Sequence, residues 1–239
     1  GIPFFRLIPL LDLCAVRIGA DLVPVLDANR LLVFLGLKQL NQKPSIGLKA
    51  IIDTCGLTGR ELSMSDIVFK IGPRINASGR MESGRESVDL LVERDFGVAL
   101  QEAKHIDLYN EQRKDVDRHM TEEANQIVAR LDTQKHQSSI VLYDEGWKKG
   151  VIGIVASRLT EIYFRPTVVL TRDGDFATGS ARSVAGFDVY SAVKSCRDLL
   201  VNFGGHTYAA GLTLKWSDVK KFRDRFQQYV AQHIQPEQT

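Results

Sequence analysis

Cysteine is scarce and falls in no pattern. Cys14, Cys55 and Cys196 are the only three in 239 residues, far apart and without a Cys-x-x-Cys spacing. That argues against a disulfide framework and against a zinc site, and it fits a reducing, cytoplasmic setting. Long apolar runs are missing as well. The longest are too short to span a bilayer, and the start Gly1-Ile2-Pro3-Phe4-Phe5 lacks the basic segment of a signal peptide. No membrane is expected as a partner. An excess of one charge is absent too: a formal net charge of +2 does not by itself argue for nucleic acid, so any basic character has to be local. The initiator methionine is also missing, as expected for a chain cut from a longer protein.

The 44% hydrophobic and 25% charged residues are those of a soluble globular protein. The length leaves room for one large domain or two smaller ones, each with its own core. Two stretches stand out against that background. Asn202 to Gly211 joins Gly204 and Gly205 to His206 and then to small residues, a backbone that another group can approach closely. Upstream, Gly179-Ser180-Ala181-Arg182-Ser183 combines a tight-turning glycine, two hydroxyls and a guanidinium matched to phosphate oxygens. Each alone also reads as an ordinary turn or solvated loop; together they read as an anion cradle with an imidazole nearby.

Along the chain, Asp12, Arg17 and Asp21 interrupt the apolar patches of residues 6–26, and Asp21 falls in a turn before Pro24. An acid there is a candidate metal ligand or a simple turn acid. Leucine spacing predicts helices over 29–41 and 47–55, and a third starts near Ser63–Val68 with Ser63 or Ser65 as cap. Residues 72–85 carry three glycines and three arginines, which predicts a loop presenting Arg74, Arg80 and Arg85 to a phosphate backbone or to solvent. From Ser87 to Asp132 the pattern is helical, with a break near Asp95 and Gly97. The glycine-free part alone is about 50 Å long, better suited to connecting two domains than to sitting inside one.

Beyond Thr133–Gln137 strands and helices alternate. Strands are predicted at 139–143, 166–171, 175–182 and 211–215, and helices at 151–163, 189–201 and 217–233, the last capped by Ser217 or Asp218. The loop 144–150 would also open toward a site through its glycines.

In this order the sequence resembles the DHH/DHHA1 phosphoesterase superfamily, and within it the RecJ-type single-strand-specific exonucleases. The resemblance is carried by ADLVP at 20–24, GPRINASGRM at 72–81, GWKKGVIGIVASRL at 146–159, GSARS at 179–183 and FGGHTYAAG at 203–211. It implies an α/β chain in three parts. Residues 1–92 would be the mainly helical C-terminal part of a DHH domain, 93–135 a long connecting helix, and 136–239 a DHHA1 substrate-binding domain with a mixed sheet.

The implied activity is 5′ to 3′ hydrolysis of single-stranded DNA in repair and recombination by a monomeric enzyme with a two-metal Mg²⁺ or Mn²⁺ site. Two such ions about 4 Å apart suit phosphodiester hydrolysis and demand several carboxylates and imidazoles. The family's paired aspartates, middle aspartate and Asp-His-His triplet have no counterpart here, and only Asp21 matches a metal-binding position. The resemblance therefore implies the C-terminal part of the catalytic core, binding substrate and inactive alone.

By motif position, Ser180 and Arg182 would hold the terminal 5′ phosphate. His206, with Gly204 and Gly205, would lie beside the scissile phosphate, and Arg74, Asn76 and Arg80 would contact the strand. Two alternatives remain. One is a relative hydrolysing short RNA or cyclic dinucleotides, against which the helical residues 29–70 argue; the other is a non-catalytic module for nucleic-acid ends. The polar ending 235–239 would suit a linker to a further domain.

Overall fold

A computed structural model of the chain describes residues 7–134 and 137–235. The first six residues, parts of the segment 133–137 and the tail from 236 lie outside it, and with them the expectations placed there. The chain divides into two compact units, with the boundary between Arg113 and Lys114.

The first unit is helical. It contains α1 (Leu11–Ala20), α2 (Asp27–Gln42) and α3 (Ile46–Thr54), then α4 (Met64–Asp66), a π-helical turn at Ile67–Ile71, α5 (Gly72–Met81) and α6 (Gly84–Val92). Helix α7 (Phe96–Gln134) begins in this unit and ends in the next. Val16, Leu40, Leu48, Ile51, Ile67, Ile71, Leu90 and Ile106 form its core. Glycine sets how closely the helices approach. A Cβ on Gly36 would lie 2.2 Å from the Leu11 carbonyl oxygen, and one on Gly47 2.2 Å from that of Leu90.

The expected loop at 72–85 is instead two helices, α5 and α6, joined by a short turn. Its glycines serve helix contacts rather than a flexible loop. A Cβ on Gly72 would reach Ala20 Cβ at 3.0 Å, and one on Gly79 would reach Gly84 Cα at 3.5 Å. Pro73 is the second residue of α5, directly after the π-helical turn. Ser78 Oγ and Ser87 Oγ, 2.6 Å apart, tie the two helices together.

The second unit is built on a five-stranded mixed sheet in the order β1-β2-β3-β5-β4. Strand β1 (Ile140–Asp144) leads through α8 (Ile152–Tyr163) to a parallel β2 (Thr167–Asp173). A turn at Gly174, φ +62°, returns the chain antiparallel as β3 (Phe176–Arg182). After α9 (Val189–Lys194) come β4 (Leu200–His206), β5 (Ala209–Lys215) and α10 (Val219–His233).

The helix expected over 189–201 is thus shorter, and its last residues belong to a strand. The segment 203–211 is a β-hairpin whose turn is Thr207-Tyr208. Asp218 precedes α10 without a side-chain cap bond, because a 3-10 turn at Trp216–Asp218 leads into the helix.

Strand periodicity divides the sheet into two faces. Val168, Leu170, Ala177, Ala181, Leu212 and Leu214 pack with Phe222, Phe226 and Val230 of α10 and with α9. Helix α8 lies across the opposite face over β2 and β3, leaving the β5–β4 end of that face bare. The second half of α7 is tied to α8 by the Asp117–Arg158 ion pair at 2.8 Å, and to the loop before α8 by the Trp147 indole N–H donating to Glu123 Oε2 at 3.0 Å.

Candidate functional site

Strand alternation places Thr178, Ser180 and Arg182 on the face of β3 that carries α8. Antiparallel register then aligns Ser180 with Gly211 and Gly204, and Arg182 with Ala209 and His206. These are two parallel rows, each crossing three strands. At the usual spacing between strands, Ser180 and Gly204 are about 10 Å apart, as are Arg182 and His206. Backbone bonds lock the two sequence stretches together, since Ser183 N–H donates to the Tyr208 carbonyl at 3.1 Å and Val189 N–H to that of Thr207 at 3.0 Å.

The polar end of the rows is tightly organised. Arg182 Nη1 donates to Ser180 Oγ and to the Ala181 carbonyl, both at 2.8 Å, and Nε donates to Ser157 Oγ of α8 at 3.1 Å. Helix α8 comes so close that a Cβ on Gly153 would lie 3.1 Å from both Arg182 Nη2 and Ser180 Oγ.

The other end is open. A Cβ on Gly204 or Gly211 would meet nothing within 4 Å, and with Thr178, Asn202 and Thr213 these glycines line a shallow depression of about 320 Å³. His206 is exposed, and its Nδ1 accepts the Tyr208 N–H at 3.3 Å. The neutral ring therefore carries its proton on Nε2, which acts as a donor. Gly205 has a different cause. At φ +152° its Cβ would sit 2.2 Å from the Ala209 carbonyl oxygen, so the hairpin itself requires glycine there.

Ser180, Arg182, Gly204 and His206 are thus brought onto one face. Ser157 and Gly153 join them, although sequence reasoning assigned neither a role. The available signal was their spacing in GVIGIVAS: four residues apart on a helix, they share one face.

The remaining candidates lie in the first unit. Arg74 is half-buried on α5, where Nε donates to Asp107 Oδ1 at 2.7 Å and Nη1 to the Lys70 carbonyl at 2.9 Å. The Arg74 guanidinium is therefore fixed on helices rather than displayed on a loop. Asn76 and Arg80 are half-buried on the same helix. Asp21 is the exposed residue ending α1 and is ion-paired with Arg17. Among the described residues, no group of three or more His, Cys, Asp or Glu side chains could hold a metal ion. Asp21 alone does not fit a two-metal centre. A cavity of about 660 Å³ lies between α7 and the loop before α8, lined by His119, Met120, Glu123, Arg130, Trp147 and Lys148. It contains none of the candidate residues.

Residues 123–232 match the DHHA1 domain family. Over 218 residues the chain is 42% identical to the single-stranded-DNA-specific exonuclease RecJ of Bacillus subtilis (strain 168), covering 90% of this chain and 28% of that protein. The crystal structure of RecJ with Mn²⁺ from Thermus thermophilus superposes with a TM-score of 0.85 at 30% identity, covering 96% of this chain and 34% of that one. A second structure, exonuclease RecJ bound to manganese, gives a TM-score of 0.79 at 30% identity over 99% of this chain and 58% of that one. The chain therefore spans less than two thirds of each of these relatives. Among the described residues, no helix is long and apolar enough to cross a membrane.

Proposed function

We propose that this chain, which belongs with the RecJ-type proteins of the DHH/DHHA1 family, supplies the substrate-binding part of a 5′ to 3′ single-stranded-DNA exonuclease. The observation that carries the reading is the shared face of the sheet: a Ser180–Arg182 pair packed on α8 at one end, bare Gly211 in the middle, and bare Gly204 with an exposed histidine at the other. A terminal phosphate carries more charge than an internal one and rewards a guanidinium with neighbouring hydroxyls. The Gly204–Gly211 floor leaves room for the sugar-phosphate backbone of the next nucleotide. From Nε2, His206 donates to an oxygen of the phosphate about 10 Å from Arg182.

Arg74, Asn76 and Arg80 serve the incoming strand, with Asp107 keeping Arg74 in place. Residues 1–92, 93–135 and 136–239 then act as the DHH-derived part, the connecting helix and the DHHA1 part. The intact enzyme works as a monomer in a reducing cytoplasm. Asp21 would be the one ligand this chain offers to Mg²⁺ or Mn²⁺, with the others coming from outside it, and the ion would supply an activated water.

The test is binding of a fluorescent single-stranded oligonucleotide with and without a 5′ phosphate. Tighter binding of the phosphorylated end, lost in Arg182→Ala, supports the assignment. Equal affinity for both ends in the unmutated chain overturns it.

A further inference from the structure

We propose that Ser157 of α8 is a positioning residue for Arg182, and that Gly153, one turn earlier, keeps open the space in which Arg182 and Ser180 meet an anion. The inference rests on the reading of Ser180 and Arg182 as a terminal-phosphate site and assigns the group that orients it.

A serine hydroxyl has one hydrogen to give and two lone pairs to accept with. Here the hydrogen is directed by the helix: Ser157 Oγ donates to the Gly153 carbonyl at 3.1 Å. A lone pair is therefore left facing the strand, and it accepts the Nε–H of Arg182 at 3.1 Å. Because the guanidinium is planar, fixing Nε and Nη1 fixes the whole fork. Nη1 is held by Ser180 Oγ and the Ala181 carbonyl. Ser157 thus reaches the fork from outside its own strand, and it ties the fork to the first two turns of α8.

Gly153 completes the arrangement by being small. A methyl there would stand 3.1 Å from Arg182 Nη2 and from Ser180 Oγ, tighter than ordinary van der Waals contact. A fork held in advance loses less rotamer entropy when it meets phosphate, which raises affinity without adding a contact.

The experiment measures, for the intact chain, the ratio of affinities for a short oligothymidylate with and without a 5′ phosphate. Ser157→Ala is compared with the unmutated protein, Gly153→Ala and Arg182→Ala. Alanine is at least as good a helix former as either residue it replaces, so α8 persists. For Ser157→Ala the expected ratio falls about five- to tenfold, with affinity for the 5′-hydroxyl strand unchanged. Gly153→Ala lowers the ratio in the same direction.

In nitrogen-15 spectra, the Arg182 Nε–H signal, assigned by its loss in Arg182→Lys, exchanges faster with water in Ser157→Ala. A full ratio in Ser157→Ala, or equal weakening of both ends, overturns the positioning role while leaving the phosphate site intact. A ratio that Arg182→Ala also leaves untouched removes the phosphate site itself.

Discussion

Asp66 illustrates how much one buried carboxylate can organise. It is 6% exposed in the turn that starts α4, and its Oδ2 accepts the backbone N–H of Ser63 at 3.1 Å and the Ser63 hydroxyl at 3.0 Å. Arg60 and Lys70 flank Oδ1. The Ser63 amide is the leading cause that lowers the carboxyl from its ordinary 3.8 to about 2, and the flanking cations add to it against the opposing effect of burial. A depressed acid stabilises the fold above its unfolded pKa and loses that contribution as pH falls through the folded one. Stability owed to Asp66 is therefore complete above about pH 4 and declines toward pH 2. Asp66→Ala leaves the Ser63 amide without its acceptor and is expected to cost about 2 kcal/mol at neutral pH. Urea denaturation across pH 2 to 6 checks both points, since the variant should lack this part of the acid-induced loss. The sequence offers Ser63 or Ser65 as the cap and the structure places Ser63 there, whereas the network around Asp66 draws in Arg60, which lies outside the helix it helps to start.

At the level of elements, regular periodicity was legible and the reasons for glycine were not. Leucine spacing located α2 and α3, and the alternation of strand and helix after residue 137 located all of β1, β2, β3, α8 and α10 to within a few residues. The arginine-rich stretch 72–85 is helical although glycine punctuates loops in sequence: Gly72 sits where α5 presses on Ala20, while Gly79 and Gly84 face each other across the α5–α6 turn at ordinary contact distance. The strand at 200–206, whose first two residues fall in the helix expected over 189–201, has a related cause. A strand ending in two glycines and a histidine shows too little apolar alternation to register as one.

Within the β4–β5 hairpin the same residue type has opposite roles, and substitution separates them. Gly205→Ala places a methyl 2.2 Å from the Ala209 carbonyl oxygen at a φ that disfavours side chains, so a loss of about 2 kcal/mol or more is expected. Gly211→Val faces open space and should leave the melting temperature nearly unchanged while weakening oligonucleotide binding about tenfold. Thermal denaturation and anisotropy on the two variants separate these outcomes. Equal destabilisation by both would mean that the bare face is structural.

At the scale of the whole molecule, the proposed binding face and the one proposed metal ligand belong to different compact units. Ser157, Ser180, Arg182 and His206 are placed by α8, β3 and β4, all within the second compact unit. Asp21 belongs to the first, where its carboxylate is ion-paired with Arg17. Hard divalent cations take about six or more oxygen ligands, in which carboxylates share places with water, and a two-metal centre needs more carboxylates than one exposed aspartate engaged with a guanidinium supplies. The chain is therefore expected to bind Mn²⁺ weakly and without a saturable site in the micromolar range, and to leave single-stranded DNA uncut at millimolar Mn²⁺. Arg17→Ala frees Asp21 from its cation but adds no second ligand, so it should raise neither binding nor cleavage. Water-proton relaxation against Mn²⁺ concentration reads the first, and release of mononucleotides from a labelled strand reads the second. Stoichiometric micromolar binding, abolished by Asp21→Asn, would instead mean that this chain builds a metal centre of its own.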